Sequence, residues 1–378
     1  MATITDDVVP GSWIVFLKPH LSADGMAAHL ESIQAMTRDP DKSLSCEAHY
    51  EFDLDEFRGY SGKFDLQTKE DIEKMDGVLS IEPVRYFRHC QLISQPNAPW
   101  GLERISQSRK VQQDAPYRYR YRDDAAGQNT IAYIIDTGIN ASHVEFEGRA
   151  SRGPKFVTST SPASDGDVWG HGTHVAGIVG SRAYGVAKKV QIISIKVFSD
   201  ITGGARTDDI IKALEWIVSD ARARGKKATV NMSLGGPISP ALNAAVAATV
   251  RSGIVVCVAA GNDMAKSPAS EPLAVTVAAM DKTDEISDFS NYGRLVDVFG
   301  PGTDITSTWI GSNSATRTIS GTSMATPHVT GLACCLLSDG TLAEKTPYGV
   351  ASQITIRADK NKLLGLDRIT SNSILQVV

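Results

Sequence analysis

A few side chains of this 378-residue sequence have the types and settings needed for nucleophilic chemistry on a carbonyl group. Ser323 lies in SGTSMATPHVTGLACCLL, where Gly321 lets the backbone approach closely and Pro327 fits the first turns of an apolar helix. A helix N-terminus offers unpaired N–H groups and the positive end of a dipole, and so favours the negative charge that develops when a serine attacks a carbonyl. His171 opens HGTHVAGIVGS, a second helix beginning beside glycines. Asp136 closes the apolar run TIAYIID, where a carboxylate needs a partner because burying an unpaired charge is costly. Asn262 follows GIVVCVAA in AAGND and could donate its amide to an oxyanion. Each has a plainer reading. Asp136 alone is equally a turn or cap aspartate, Ser323 a helix cap, and Asn262 a turn residue. His171 and His174 are spaced for a conceivable metal pair, but the glutamate of an HExxH motif is absent, and His174 reads as a structural histidine packed on the inner turn of its helix.

The elements that must position these groups are legible as runs. From about Asn129, TIAYIID, VQIISIKV, TVNMSL, GIVVCVAA, LAVTVAA and LVDVF each have the length of a buried strand, and helical patterns lie between them. Thr207 is placed to cap TDDIIKALEWIVSDARARG, and Ser239 with Pro240 opens PALNAAVAATVRSG. Strands alternating with helices predict an α/β fold with a doubly wound, mostly parallel sheet, whose reactive groups collect at the carboxyl ends of its strands. Ahead of it, WIVFLK, DGMAAHLESIQAM, YEFDLDEFRGYSGKFD and TKEDIEKMDGVLSIEPV predict a small α+β domain. The segment CQLISQPNAPWG, interrupted by Pro96 and Pro99, reads as a linker or exposed junction, which divides the chain into 1–92 and 93–378.

Charge separates along the same line. Residues 1–92 carry nine basic and 17 acidic groups, whereas 93–378 carry 29 basic and 26 acidic, so the two parts are electrostatically complementary. The total of −5 is small and of the wrong sign for a nucleic-acid or anionic-membrane surface. With 42% hydrophobic residues, collagen-like and disordered classes are excluded. MATITDDVVPG lacks the pattern of an export signal, and GIVVCVAAG and GLACCLL are far shorter than a membrane span. Cys46, Cys90, Cys257, Cys334 and Cys335 follow no metal-ligand spacing, and neighbouring Cys334 and Cys335 diverge on a helix, so free thiols are expected.

Taken in order, IIDTGI, HGTHVAGIVGS, NMSLGG, AAGN and SGTSMATPHV resemble the subtilisin-like serine proteases. NAPWGLERIS, SRAYGVAKK, SPASEP, FSNYG, FGPGT and STWIG narrow the resemblance to the proteinase K-like branch, and VVPGSWIVFLK, FRGYSGKFD and GVLSIEPV resemble the family's inhibitor propeptide. The resemblance implies a serine endopeptidase made as a self-inhibited precursor. Ser323 would be the nucleophile, His171 the general base and then acid, Asp136 its orienting partner, and Asn262 with the Ser323 N–H the oxyanion donors. Ser233, Leu234 and Gly235 would pair with substrate backbone, and Ala259, Ala260 and Gly261 would wall the primary pocket, which implies broad substrate tolerance. The tail near His89–Ser94 would lie in the active site before autoprocessing. No cofactor is implied for the chemistry; a structural calcium would be held by Asp297 and the carbonyls of Pro272 and Ala274. Protein or peptide substrates and the chain's own propeptide are the implied partners, with no nucleic acid or membrane, and a monomer is expected.

The sequence also departs from the family pattern. The loop between Asn262 and SPASEP is short, no aromatic lid is found around Gly203-Gly204-Ala205-Arg206, and a second calcium ligand near the C-terminus is missing. Positions that carry paired cysteines in relatives hold Thr130 and Val275. With the missing export signal, this favours an intracellular or vacuolar setting. A catalytically silent binding protein on the same fold is the alternative. A dinucleotide-dependent oxidoreductase is dismissed, because DTGINAS lacks G-x-G-x-x-G.

Overall fold

The structure, a computed structural model, describes residues 8–19, 21–36, 47–54, 57–86, 92–112, 116–158, 163–262, 267–367 and 369–377. It divides into two compact units, Met1–His89 and Cys90–Val378.

The first unit contains β1 (Val8–Leu17), α1 (Ala23–Met36), β2 (Glu47–Leu54), β3 (Phe57–Lys63), α2 (Leu66–Glu73) and β4 (Val78–Arg85). Its four strands form a sheet in the order β2-β3-β1-β4, with β1 antiparallel to both neighbours. Alternate residues Val15 and Leu17 pack with Ile33, Tyr60, Phe64 and Ile72 in its core. The α+β expectation therefore holds for this part.

The second unit opens with β5 (Leu92–Pro96), α3 (Trp100–Arg104) and β6 (Arg118–Arg122). There follow β7 (Thr130–Asp136), β8 (Ala150–Lys155), α4 (His171–Gly180), β9 (Gln191–Lys196), α5 (Thr207–Arg224) and β10 (Lys227–Met232). Next come α6 (Pro240–Arg251), β11 (Val255–Ala259), β12 (Val275–Met280), β13 (Val298–Pro301), β14 (Ile305–Thr308) and β15 (Thr316–Ile319). The last elements are α7 (Thr322–Ser338), α8 (Pro347–Arg357), β16 (Asp359–Lys360) and β17 (Ser373–Ile374). A nine-stranded sheet runs β16-β17-β13-β12-β11-β10-β7-β9-β8, parallel throughout except where β16 meets β17. Strand periodicity sorts side chains between two cores. Ala132 and Ile134 of β7 face the layer built on α4 and α7, whereas Ile131, Tyr133 and Ile135 face the layer built on α5 and α6. Each fully buried isoleucine among them contributes roughly 1.5–3 kcal/mol.

Two local expectations are corrected. The described part of CQLISQPNAPWG is an exposed junction but not an irregular linker: Leu92–Pro96 pairs antiparallel with Arg118–Arg122, and Trp100–Arg104 is helical. Proline is tolerated in this two-stranded pairing because both strands are edges, and the partner strand buries Tyr119 completely. Thr207 does not cap α5; it is the first helical residue, after Arg206, whose side chain makes no capping bond. Ser239 does cap α6, accepting from the Leu242 N–H at 3.2 Å. Cys257, Cys334 and Cys335 are buried free thiols, whereas Cys46 and Cys90 lie outside the described residues. Among the described residues no helix is long and apolar enough to cross a membrane.

Candidate active site

Three adjacent strands of the large sheet, in the order β11-β10-β7, deliver Asn262, Ser233 and Asp136 to one edge. Asp136 is the last residue of β7 and has no solvent exposure. Its Oδ1 accepts from the Thr137 N–H at 2.7 Å and lies 2.7 Å from His171 Nδ1. His171 is the first residue of α4, and its side chain keeps 30% of its exposure. That approach demands glycine at 172: a Cβ there would stand 2.3 Å from the Gly138 carbonyl oxygen and 3.1 Å from the Asp136 Cβ. The Gly172 N–H also donates to Thr137 Oγ1 at 2.8 Å, pinning the helix to the strand end.

Burial depresses the His171 pKa, but the Asp136 charge, the hydrogen bond to Asp136 and the Asp167 charge outweigh it and hold the imidazole above its ordinary value of 6.5. Asp167 went unrecognised in the sequence. It accepts from the Gly170 N–H at 2.8 Å, the Thr173 N–H at 2.9 Å, Thr173 Oγ1 at 2.7 Å and Thr137 Oγ1 at 2.8 Å, and so acts as the anionic cap of α4. Its only sequence signal is an aspartate four residues ahead of a histidine in DVWGH. His174, by contrast, is structural as expected: fully buried, with Nε2 3.0 Å from the carbonyls of Ile305 and Arg317 and its pKa pushed down by burial to about 4.

Ser323 is the second residue of α7, in the turn whose N–H groups lack intrahelical acceptors. Its Oγ donates to the Ser233 carbonyl at 3.3 Å, not to His171. Catalytic hydrogen bonds are often long or misaligned in a site without substrate. Asn262 Oδ1 accepts from the Thr322 N–H at 3.0 Å and from Thr322 Oγ1 at 2.8 Å, which fixes the amide so that Nδ2 faces the other way. An atom placed where a Cβ of residue 321 would stand lies 3.5 Å from Asn262 Nδ2 and 3.6 Å from the Ser323 nitrogen. Asn262 Nδ2 and the Ser323 nitrogen thus both lie close to one point beside Gly321.

The remaining expected site residues lie at or just beyond the ends of β10 and β11. Ser233, Leu234 and Gly235 continue beyond β10 without being part of a strand, and Ala259 ends β11. Asn291, another residue the sequence reading missed, orders the following segment: Nδ2 donates to the Ala260 carbonyl at 2.8 Å and its N–H to the Gly261 carbonyl at 2.9 Å. Those carbonyls face Asn291, which suits Ala260 and Gly261 to a wall. The short loop after Asn262, residues 263–266, lies outside the described residues. The aromatic ring sought around Gly203 comes from elsewhere in the chain: Trp169, 47% exposed, donates its indole N–H to the Ser199 carbonyl at 3.2 Å and has ring atoms 3.4 Å from where a Gly203 Cβ would lie. Leu92, Ile93 and Ser94 of the expected active-site tail are committed to β5 by its pairing with β6, and His89–Gln91 lie outside the described residues.

Asp297 is separate from this edge. Its Oδ2 accepts from the Thr276 N–H at 2.8 Å, and burial pushes its pKa up to about 6. Among the described residues no group of three or more His, Cys, Asp or Glu side chains is arranged to hold a metal. A partly buried carboxylate without a cationic neighbour among these residues nevertheless fits a site completed by carbonyl oxygens.

A parallel α/β sheet with an Asp–His pair and a helix-borne serine at one edge defines the class of subtilisin-like serine peptidases. The chain belongs to the subtilase family, whose model matches residues 127–370, and residues 12–87 match the peptidase inhibitor I9 model. It is 44% identical over 327 residues to Proteinase R of Parengyodontium album, covering 84% of this chain and 79% of that protein. The cuticle-degrading protease of Metarhizium anisopliae is 44% identical over 322 residues, covering 84% and 79%. Among solved structures, that of a cold adapted subtilisin-like serine proteinase aligns with a TM-score of 0.66 at 40% identity, covering 75% of this chain and 99% of that one. The protein is therefore a serine endopeptidase carrying an I9 inhibitor unit.

Proposed function

We propose that the chain is an autoprocessing endopeptidase acting through an acyl-enzyme on Ser323. His171 takes the Ser323 proton and later delivers it to the leaving amine, while Asp136 holds the imidazole in the tautomer that accepts at Nε2 and stabilises the imidazolium. Asn262 Nδ2 and the Ser323 N–H receive the oxyanion in the space beside Gly321. The observation that carries this reading is the 2.7 Å Asp136–His171 contact on the same sheet edge as the convergent Asn262 and Ser323 donors. Substrates are polypeptides, held by main-chain pairing along Ser233–Gly235 and against the wall at Ala259–Gly261, so sequence preference is broad. Residues 1–92 serve as inhibitor and folding aid, 93–378 as the catalytic domain, and the mature enzyme acts as a monomer. Because β5 engages Leu92–Ser94, cutting near that strand requires it to pair with β6 after cleavage.

A fluorophosphonate probe tests the reading directly: it labels Ser323 in the wild type, and the Ser323→Ala protein takes up no label and accumulates as the full-length chain. Labelling elsewhere, or normal trimming of purified Ser323→Ala, overturns it.

Asp297 with the carbonyls of Pro272 and Ala274 would hold a calcium ion, which would offset the cost of the partly buried carboxylate. Chelator is expected to lower the Tm of the wild type and to leave the Tm of Asp297→Ala unmoved. Equal responses in both proteins remove the site.

A further inference from the structure

Pro327 lies inside α7, where its missing N–H cannot bond to the carbonyl four residues earlier, that of Ser323. The proline ring also crowds that carbonyl and tilts it away from the helix axis. An unpaired buried carbonyl is costly, so the residue carrying the attacking hydroxyl needs an acceptor-side partner from outside its helix. The structure supplies one: Ser233 Oγ donates to the Ser323 carbonyl at 2.8 Å. In return, the Ser233 carbonyl accepts from Ser323 Oγ at 3.3 Å.

The Ser233 hydroxyl is itself held. Ser233 is 3% exposed, and its Oγ accepts from Asn231 Nδ2 at 2.9 Å. Asn231, fully buried in β10, has its Oδ1 2.9 Å from Thr330 Oγ1, one turn further along α7 than Pro327. Polar contacts thus tie β10 and its continuation to α7 on either side of the proline, from Ser233 to Ser323 and from Asn231 to Thr330. Each partner in the chain uses donor and acceptor capacity that would otherwise be buried unpaired.

We propose that the Ser233 hydroxyl is a positioning group for Ser323, replacing the N–H that Pro327 lacks and setting where the first turn of α7 presents its nucleophile. The inference rests on the assignment of Ser323 as nucleophile. It gives Ser233 a side-chain role distinct from any main-chain pairing with substrate. Misplacing a reacting group by a fraction of an ångström lowers turnover without weakening substrate binding, so the effect belongs in kcat.

The test is a double-mutant cycle in the processed enzyme, read as kcat and KM on a peptide anilide; Ser323→Ala, which does not process itself, is cut between its two units by an unrelated added protease and serves as the reference. Ser233→Ala is expected to lower kcat about tenfold while KM stays within about twofold. Pro327→Ala restores an N–H to the helix, so adding Ser233→Ala in that background is expected to cost about threefold or less. Ser233→Cys, close in shape but a weak donor, should follow Ser233→Ala, and it serves as the second probe where the alanine variant folds poorly. A penalty for Ser233→Ala that is equal with and without the Pro327→Ala change overturns the proposal, as does a penalty confined to KM. Activity surviving in Ser323→Ala would instead overturn the nucleophile assignment, which keeps the two failures distinct.

Discussion

His171→Ala is expected to lower kcat by about six orders of magnitude, the size found when a triad member of subtilisin is removed, with KM changing little. Asp136→Asn is milder, about four orders, because the imidazole remains but loses the partner that selects its tautomer. The pH profile separates these roles. His171 must be neutral to accept the Ser323 proton, and Asp136 with Asp167 holds its pKa above 6.5 against the lowering effect of burial. Wild-type kcat/KM should therefore rise with pH through an acid limb whose midpoint lies above the ordinary histidine value. Residual activity in Asp136→Asn should rise through a limb shifted to lower pH, since burial then dominates. Stability runs the other way. A histidine whose folded pKa is raised contributes stability that is fully present below its unfolded value and is lost as pH climbs through the folded one. The His171 contribution is thus largest where the enzyme is least active. An acid limb that does not move on Asp136→Asn sinks the assignment of Asp136 as the partner of His171.

The sheet and its reactive edge were legible because both depend on local pattern. TIAYIID alternates its side chains between two cores, so its burial is written in its composition, and Asp136 is conspicuous as the one charge that ends the run. His171 and Ser323 were visible because glycines and a proline punctuate the helix starts that carry them. What stayed hidden depends on which runs become neighbours. Asp167 caps α4 only because the loop before the helix folds back on Thr137 and Thr173. The bond from Ser233 to the Ser323 carbonyl needs the register between β10 and α7, 90 residues apart, and no periodicity encodes that. β5 reads as polar and proline-broken until Arg118–Arg122 is placed beside it. The aromatic ring near Gly203 was sought in its own loop but arrives from Trp169, beside His171.

Arg104→Ala is expected to destabilise the catalytic unit by about 3–5 kcal/mol, the usual cost of removing one partner from a buried ion pair. Arg104 has no solvent exposure, and its guanidinium donates to Asp284 Oδ1 at 2.8 Å and Oδ2 at 3.3 Å, to Asp359 Oδ2 at 3.4 Å and to the Gln107 carbonyl at 3.0 Å. One cation on α3 thereby joins the Asp284 turn and β16, segments 180 and 255 residues away in sequence. Alanine would leave Asp284, 5% exposed, and the nearby Asp359 as negative charges without their shared cation. Lysine is a poor substitute, since a point charge cannot meet two carboxylates and a carbonyl in one plane. Measured in the Ser323→Ala background, so that autolysis does not contribute, the variant should lose on the order of 10 °C in Tm. The loss should persist in high salt, because a desolvated pair is little screened. Arg206→Ala, which breaks the exposed pair with Asp208, should leave Tm unchanged under the same conditions. Equal Tm losses in the two variants would mean that Arg104 acts only as one more surface charge, which its complete burial contradicts.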